Sequence, residues 1–167
     1  TYRGSDQGSA YYDYSRIDFE ALYRMCEETD SAVVFKMHRF VQKKVPVPSR
    51  YTSLLVDESD LPIESLYYAA DVLVTDYSSC FYDYLLLNRP VVFYCYDEEY
   101  YEATRGVHRR VTDIAPGPVC HSFEALIDTL KGEAVLPQEA NAMLLDKHFG
   151  NADYLASDAV IDAVLLG

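Results

Sequence analysis

The chain has 167 residues, half of them apolar, with 27 acidic against 14 basic side chains and a formal net charge of −13. That is the length of one domain with enough apolar residues for a real core. So acidic a balance excludes a nucleic-acid backbone as the main partner, because such sites need a positive footprint, yet a small anion needs only a local basic patch. No apolar run approaches the roughly 20 residues of a membrane span, and no signal peptide is visible.

The four cysteines, Cys26, Cys80, Cys95 and Cys120, stand in apolar contexts without CxxC spacing. They read as reduced core thiols of a cytoplasmic protein. His38, His108, His121 and His148 are scattered, with no HExxH or paired spacing. No metal site and no cofactor are expected from that pattern.

Taken in chain order, residues 1–15 read as loop. Phe19, Leu22, Tyr23 and Cys26 recur at helical spacing, which predicts a helix over about 16–29. "SAVVFKM" (31–37) is a buried strand. "HRFVQKKVPVPSR" (38–50) is a loop punctuated by Pro46 and Pro48. "SLLV" (53–56) is a short strand. A turn follows, then a helix capped by Asp60 with Pro62 in its first turn. "DVLV" (71–74) is a strand, and "SSCFYDYLLLN" (78–88) is a helix that Asn88 and Pro90 stop. "VVFYCY" (91–96) is a strand, and 97–118 is mostly loop with room for one short helix. A strand fragment at 119–120 precedes a helix from its cap Ser122 to about Lys131. Helices at roughly 137–148 and 153–166 complete the chain.

Short apolar strands alternate with helices. That pattern predicts an α/β fold, a single domain over 1–167 with a Rossmann-like parallel sheet covered on both faces. Ligands in such folds bind beyond the carboxyl ends of strands. Three stretches fall there. Thr75-Asp76-Tyr77-Ser78-Ser79 leaves strand 71–74 and enters a helix, whose first amides suit an anion. Ser78 and Ser79 add hydroxyl donors, whereas a carboxylate at Asp76 repels phosphate. An ordinary N-cap at Asp76 or Ser78 explains the same residues. "KMHRFVQKK" (36–44) gathers Lys36, Arg39, Lys43 and Lys44 around His38, and local positive charge is what a diphosphate leaving group needs. A solvated basic loop is the plainer alternative. "RGVHRR" (105–110) offers Arg105, His108, Arg109 and Arg110, followed by "PGP" (116–118), where Gly117 permits close backbone approach. His121 and His148 read as structural or surface residues. No Ser-His-Asp order, P-loop or GxGxxG appears, so the sequence offers anion-binding groups without an evident general base.

Together these motifs resemble the CDP-glycerol glycerophosphotransferases, the teichoic-acid primases and polymerases. The resemblance rests on Ala70-Asp71, Thr75 to Ser79, the aromatic run Phe81 to Tyr84, and Arg89-Pro90. It extends to "TYRG" at the start, to "KMHRF", and to "RGVHRRVTDIAPGPVCHSFEAL", and is weak over 122–167. It implies one half of a GT-B glycosyltransferase-like fold, the C-terminal half that binds the nucleotide donor. It implies transfer of glycerol phosphate or ribitol phosphate from a CDP-alditol to a polymer hydroxyl, with release of CMP. His38 would be the catalytic residue, and Lys36, Arg39, Thr75, Asp76, Tyr77, Ser78, Ser79 and Arg105 would bind the donor, without metal. The family's Lys-x-His element continues with proline, where this chain has Arg39. Its N-terminal half carries a Trp-His-Gly motif whose histidine is the proposed base, and this chain has no tryptophan. The chain alone is therefore expected to bind donor and transfer little. The polyol-phosphate polymer or lipid-linked acceptor would engage the other half, with the parent enzyme at the inner face of the membrane. Two other readings share the fold: a GT-B half for another nucleotide sugar, and a flavodoxin-like or receiver-like binding module. The latter needs an acidic cluster after the first strand and a lysine after the last, and the sequence places neither.

Overall fold

A computed structural model of the protein describes residues 3–4, 10–38, 44–105, 109–132, 143–144, 146–147 and 164. The opening segment, expected as loop, pairs β1 (Arg3–Gly4) antiparallel with β2 (Ala10–Tyr11) and then makes a 3-10 turn over Tyr14–Arg16. Helix α1 (Phe19–Glu28) starts three residues later than its periodicity suggests. Asp18 sets that start, since its carboxylate accepts the amides of Glu20 and Ala21, both at 3.0 Å. Leu22, Met25 and Cys26 form its buried face.

Strand β3 (Val33–Phe35) pairs parallel with β4 (Leu55–Asp57), Val33 against Leu55 and Phe35 against Asp57. Helix α2 (Ile63–Ala69) follows, with Pro62 rather than Asp60 at its cap position and no side-chain capping bond. Its carboxyl end is closed by Arg89, whose Nη1 donates to the carbonyls of Tyr67, Tyr68 and Ala70 at 3.4, 3.0 and 2.6 Å. The Tyr84 hydroxyl donates to Ala70 as well, at 2.8 Å. A cation on the last carbonyls of a helix satisfies orphan acceptors and opposes the negative end of the dipole.

Strands β5 (Leu73–Thr75), β6 (Val91–Tyr94) and β7 (Val119–Cys120) form a second parallel sheet in that order. The described ladders thus make two parallel sheets where one was expected. The expectation of fully buried strands holds only for β6, which lies between two neighbours and is buried at all four positions. Val34 and Val74, mid-strand in β3 and β5, are 49% and 42% exposed.

Helix α3 (Cys80–Leu85) joins β5 to β6 and is shorter than the apolar run suggested. Its end is fixed by Asn88 in the left-handed region (φ 49°), ahead of Pro90. The segment expected as mostly loop holds two helices, α4 (Glu98–Arg105) and α5 (Val111–Ile114). Glu98 and Glu99 in the first turn of α4 complement the positive helix end. Helix α6 (Phe123–Lys131) begins where expected, with the Ser122 hydroxyl accepting the Ala125 amide at 3.1 Å. The two helices expected beyond it fall almost wholly outside the described residues.

Tyr67, Phe81, Tyr84, Leu85, Val91 and Phe93 centre one core cluster; Leu22, Met25, Cys26, Tyr51 and Leu55 centre another. Tyrosines can fill a core only when their hydroxyls find partners. Here Tyr67 donates to the Cys80 carbonyl at 3.0 Å and Tyr94 to the Arg16 carbonyl at 3.0 Å. All four cysteines are free thiols, three of them buried and Cys80 half-buried.

Candidate functional site

Of the residues singled out above, Lys36 and His38 follow β3, and Thr75 ends β5 with Asp76 to Ser79 following it, at the carboxyl edges of the two parallel sheets. At the edge of β5, Thr75 ends the strand with its hydroxyl 3.4 Å from the Cys80 thiol. Asp76 is buried, 8% exposed. Tyr77 turns toward α4: its hydroxyl donates to Asp97 at 3.0 Å, and its ring stacks on Tyr101 with centroids 3.9 Å apart. This pairing ties the turn to the start of α4. The capping role offered for Ser78 is only partly met. Ser78 accepts the Cys80 amide at a long 3.4 Å, and Ser79, in the cap position, makes no side-chain capping bond. Ser79 adopts helical backbone angles (φ −70°, ψ −5°) instead of the extended ones that aim a cap side chain at the first amides. Its exposed hydroxyl is left to solvent.

Behind the turn the electrostatics are negative. Burial pushes the Cys95 thiol up to about 12, and the charges of Asp76 and Glu98 add to the shift. The thiol stays protonated at neutral pH and is no nucleophile. One carboxylate oxygen of Glu98 is buried without a hydrogen-bond partner, and the other lies 3.7 Å from His121 Nδ1. His121 also lies 3.2 Å from the Cys95 carbonyl while its side chain remains mostly exposed.

A cleft of about 570 Å³ opens beside the carboxyl ends of β6 and β7, lined by Arg16, Tyr94, Tyr96, His121, Ser122 and Phe123 among others. The Arg16 guanidinium sits 5.6 Å over the Tyr96 ring. The same lining includes Asp18, and Arg16 also pairs with Asp13 at 3.5 Å.

At the other sheet, Lys36 and His38 leave β3. The Lys36 ammonium is already engaged: it donates to the Ser59 carbonyl at 2.7 Å. His38 is half-buried just beyond the strand. Arg39 and Lys43 lie outside the described residues, as do residues 106–108. Arg105 closes α4, its side chain outside the described set, while Arg110 pairs with Glu102 at 3.5 Å. The Pro-Gly-Pro segment serves the opposite end of the sheet. A Cβ on Gly117 would lie 1.9 Å from the carbonyl oxygen of Val91, the first residue of β6. Its glycine is needed for backbone packing there.

Asp57 and Ser59 are functional candidates that the sequence reading missed. The Asp57 carboxylate accepts the Val45 amide at 2.7 Å and the Ser59 amide at 2.9 Å. The Ser59 hydroxyl oxygen accepts the Met37 amide at 3.0 Å. Burial opposes ionisation of Asp57, but hydrogen bonds from Ser59 and the two amides, with Lys44 nearby, hold its carboxyl below the ordinary value. The one signal available was Asp-x-Ser directly after a strand, an Asx-turn pattern. Among the described residues, no group of three or more His, Cys, Asp or Glu could hold a metal ion.

Residues 1–166 match the family described as CDP-Glycerol:Poly(glycerophosphate) glycerophosphotransferase. The chain belongs to that family. It is 36% identical over 167 residues to the teichoic acid ribitol-phosphate polymerase TarL of Staphylococcus aureus, covering 96% of this chain and 29% of that protein. It is 36% identical over 104 residues to a teichoic acid glycerol-phosphate primase of Bacillus spizizenii, covering 62% of this chain and 27% of that one. A solved structure of the wall teichoic acid polymerase TagF superposes with a TM-score of 0.71 at 27% identity, covering 93% of this chain and 39% of that one. Another, of TagF after a soak with CDPG, gives 0.70 over 86% of this chain and 36% of that one. The family thus has the α/β, GT-B-like fold class that the resemblance implied, and this chain spans less than a third of the TarL length. No helix among the described residues is long and apolar enough to cross a membrane.

Proposed function

We propose that this chain is the nucleotide-donor-binding domain of a CDP-alditol phosphotransferase that extends a teichoic-acid-like polymer. In the reaction a polymer hydroxyl attacks the alditol-side phosphorus of the CDP-alditol. The phosphoanhydride P–O bond breaks, CMP leaves with the bridging oxygen, and the hydroxyl proton passes to a base outside this chain. This chain supplies the groups that meet the diphosphate: His38 at the end of β3, the neighbouring Lys36 and Arg39, the Thr75–Ser79 turn, and Arg105. Donors fixed in place before the reaction stabilise the developing charge on CMP without reorganising. The uncommitted Ser79 hydroxyl suits that task. Buried Asp76 suits holding the turn, since a carboxylate against phosphate would repel it.

The carrying observation is a family match over residues 1–166 in a chain whose Thr75–Ser79 turn leaves the carboxyl edge of a parallel sheet. Calorimetric titration with CDP-glycerol, CDP-ribitol, CMP and UDP-glucose tests the reading. Cytidine nucleotides should bind at least about tenfold more tightly than UDP-glucose, a difference of about 1.4 kcal/mol. A preference for the uridine nucleotide would sink the proposal. The chain alone should bind CDP-glycerol and release no CMP from it.

A further inference from the structure

His38 follows β3, which ends at Phe35, and the residues on either side of it at Met37 and Val45 are fastened to one turn. The turn is Asp57 to Ser59, at the carboxyl end of the partner strand β4. Ser59 grips the departing end twice: its hydroxyl oxygen accepts the Met37 amide at 3.0 Å, and its carbonyl accepts the Lys36 ammonium at 2.7 Å. Asp57 grips the returning end through the Val45 amide at 2.7 Å, and Val45 itself is buried. The second Asp57 oxygen accepts the Ser59 amide at 2.9 Å, so the two grips share one rigid turn. The Glu58 amide donates to the Phe35 carbonyl at 3.0 Å and continues the strand pairing into the turn. Three of these five bonds involve an ionised group, Lys36 or Asp57, and charge-assisted bonds are the stronger kind.

We infer that Asp57 and Ser59 are positioning residues for His38: the β4 turn sets where the His38 segment begins and ends, and so where the imidazole meets the donor's diphosphate. This inference rests on the donor-binding reading above. It extends the site to a second strand end that needs no contact with the nucleotide. Displacing a reacting group by about an ångström costs up to about a hundredfold in rate, and the same loosening should weaken the contact of the imidazole with the diphosphate.

A double-mutant cycle on the full-length protein tests it, with CDP-glycerol as the probe in calorimetric titration. Asp57→Asn keeps the shape but offers an amide nitrogen to one of the two donors. Ser59→Ala removes the hydroxyl that accepts the Met37 amide and also hydrogen-bonds the Asp57 carboxylate, and Ser59→Thr keeps it. Asp57→Asn and Ser59→Ala should each weaken CDP-glycerol binding by about tenfold, and Ser59→Thr should restore wild-type affinity. In a His38→Ala background the same substitutions should cost less than about twofold, because residues that act through one partner are not additive. Equal losses in both backgrounds would assign Asp57 and Ser59 a purely structural role and overturn the inference while leaving donor binding by His38 intact. If His38→Ala alone leaves the affinity unchanged, the donor-binding reading of His38 falls and this inference falls with it. Should Asp57→Asn fail to fold, the Ser59→Ala and Ser59→Thr pair decides the cycle without it.

Discussion

A buried thiol and a half-buried carboxylate at the strand ends carry opposite electrostatic consequences. Cys95 follows β6 in a region where burial, then Asp76 and Glu98, push its thiol up to about 12. Since the thiolate is the reactive form, iodoacetamide at about pH 8 should leave Cys95 unmodified in the native protein and alkylate it only after unfolding. Mass spectrometry of the labelled native protein checks this, and modification of Cys95 there would contradict its burial. Asp57 lies on the other side of the ledger. Its folded carboxyl sits below the ordinary 3.8, with the Ser59 and Val45 donors and the Lys44 charge outweighing burial. A depressed folded pKa contributes stability that is fully present above the unfolded value and is lost as the pH falls through the folded one. The gap in thermal midpoint between wild type and Asp57→Asn should therefore be full at neutral pH and close below about pH 3.8. A gap that stays constant down to acid pH would mean that the charge of Asp57 does not hold the turn.

Elements differed in how much of them could be read from the sequence, and the reason is physical in each case. The Thr75–Ser79 turn stood out because hydroxyls and a carboxylate interrupt two apolar runs. The strands before it were placed about two residues early, since "DVLV" is apolar from Val72 while the ladder begins at Leu73. Helix α4 was read only as one short helix without bounds in a mostly loop segment; the structure holds it by the Tyr77–Tyr101 stack and the Tyr77–Asp97 bond. The Asp57 clamp was hidden, because its partners are backbone amides, one of them 12 residues away, and amides leave no mark on composition. Arg89 and Gly117 were read as members of motifs, and their work proved to be architectural. Arg89→Ala should destabilise by about 1–2 kcal/mol through the exposed carbonyls at the end of α2, with Arg89→Lys in between. Gly117→Ala should cost about 2–4 kcal/mol, because a backbone clash at 1.9 Å cannot be relieved by a rotamer change. Denaturant midpoints measure both. CDP-glycerol affinity of the folded Gly117→Ala protein should be unchanged, since Gly117 lies at the amino end of β6. A selective loss of affinity would return the Pro-Gly-Pro segment to the binding site.

At the scale of the whole chain, the net charge of −13 has two consequences that pull apart. Like charges spread over one domain repel and destabilise the compact state more than the unfolded one. The ion pairs that oppose this are mostly exposed: Lys44–Asp60, Arg16–Asp13, Arg24–Glu20 and Lys131–Glu28 all lie on the surface. Exposed pairs contribute about 0–1 kcal/mol each and weaken with salt. The balance decides the sign of the salt effect. There are 27 acids and 14 bases, so even full pairing of every base leaves 13 acids unmatched (27 − 14 = 13). Unmatched charge acts over distance, and shortening the Debye length from about 30 Å to about 8 Å, from about 10 mM to about 150 mM salt, removes most of it. The thermal midpoint of the chain should therefore rise over that range in sodium chloride, before any specific ion effect enters. A falling midpoint would mean that the surface pairs outweigh the net repulsion. In that case neutralising Lys131 or Lys44 should lessen the salt dependence by the share of its own pair.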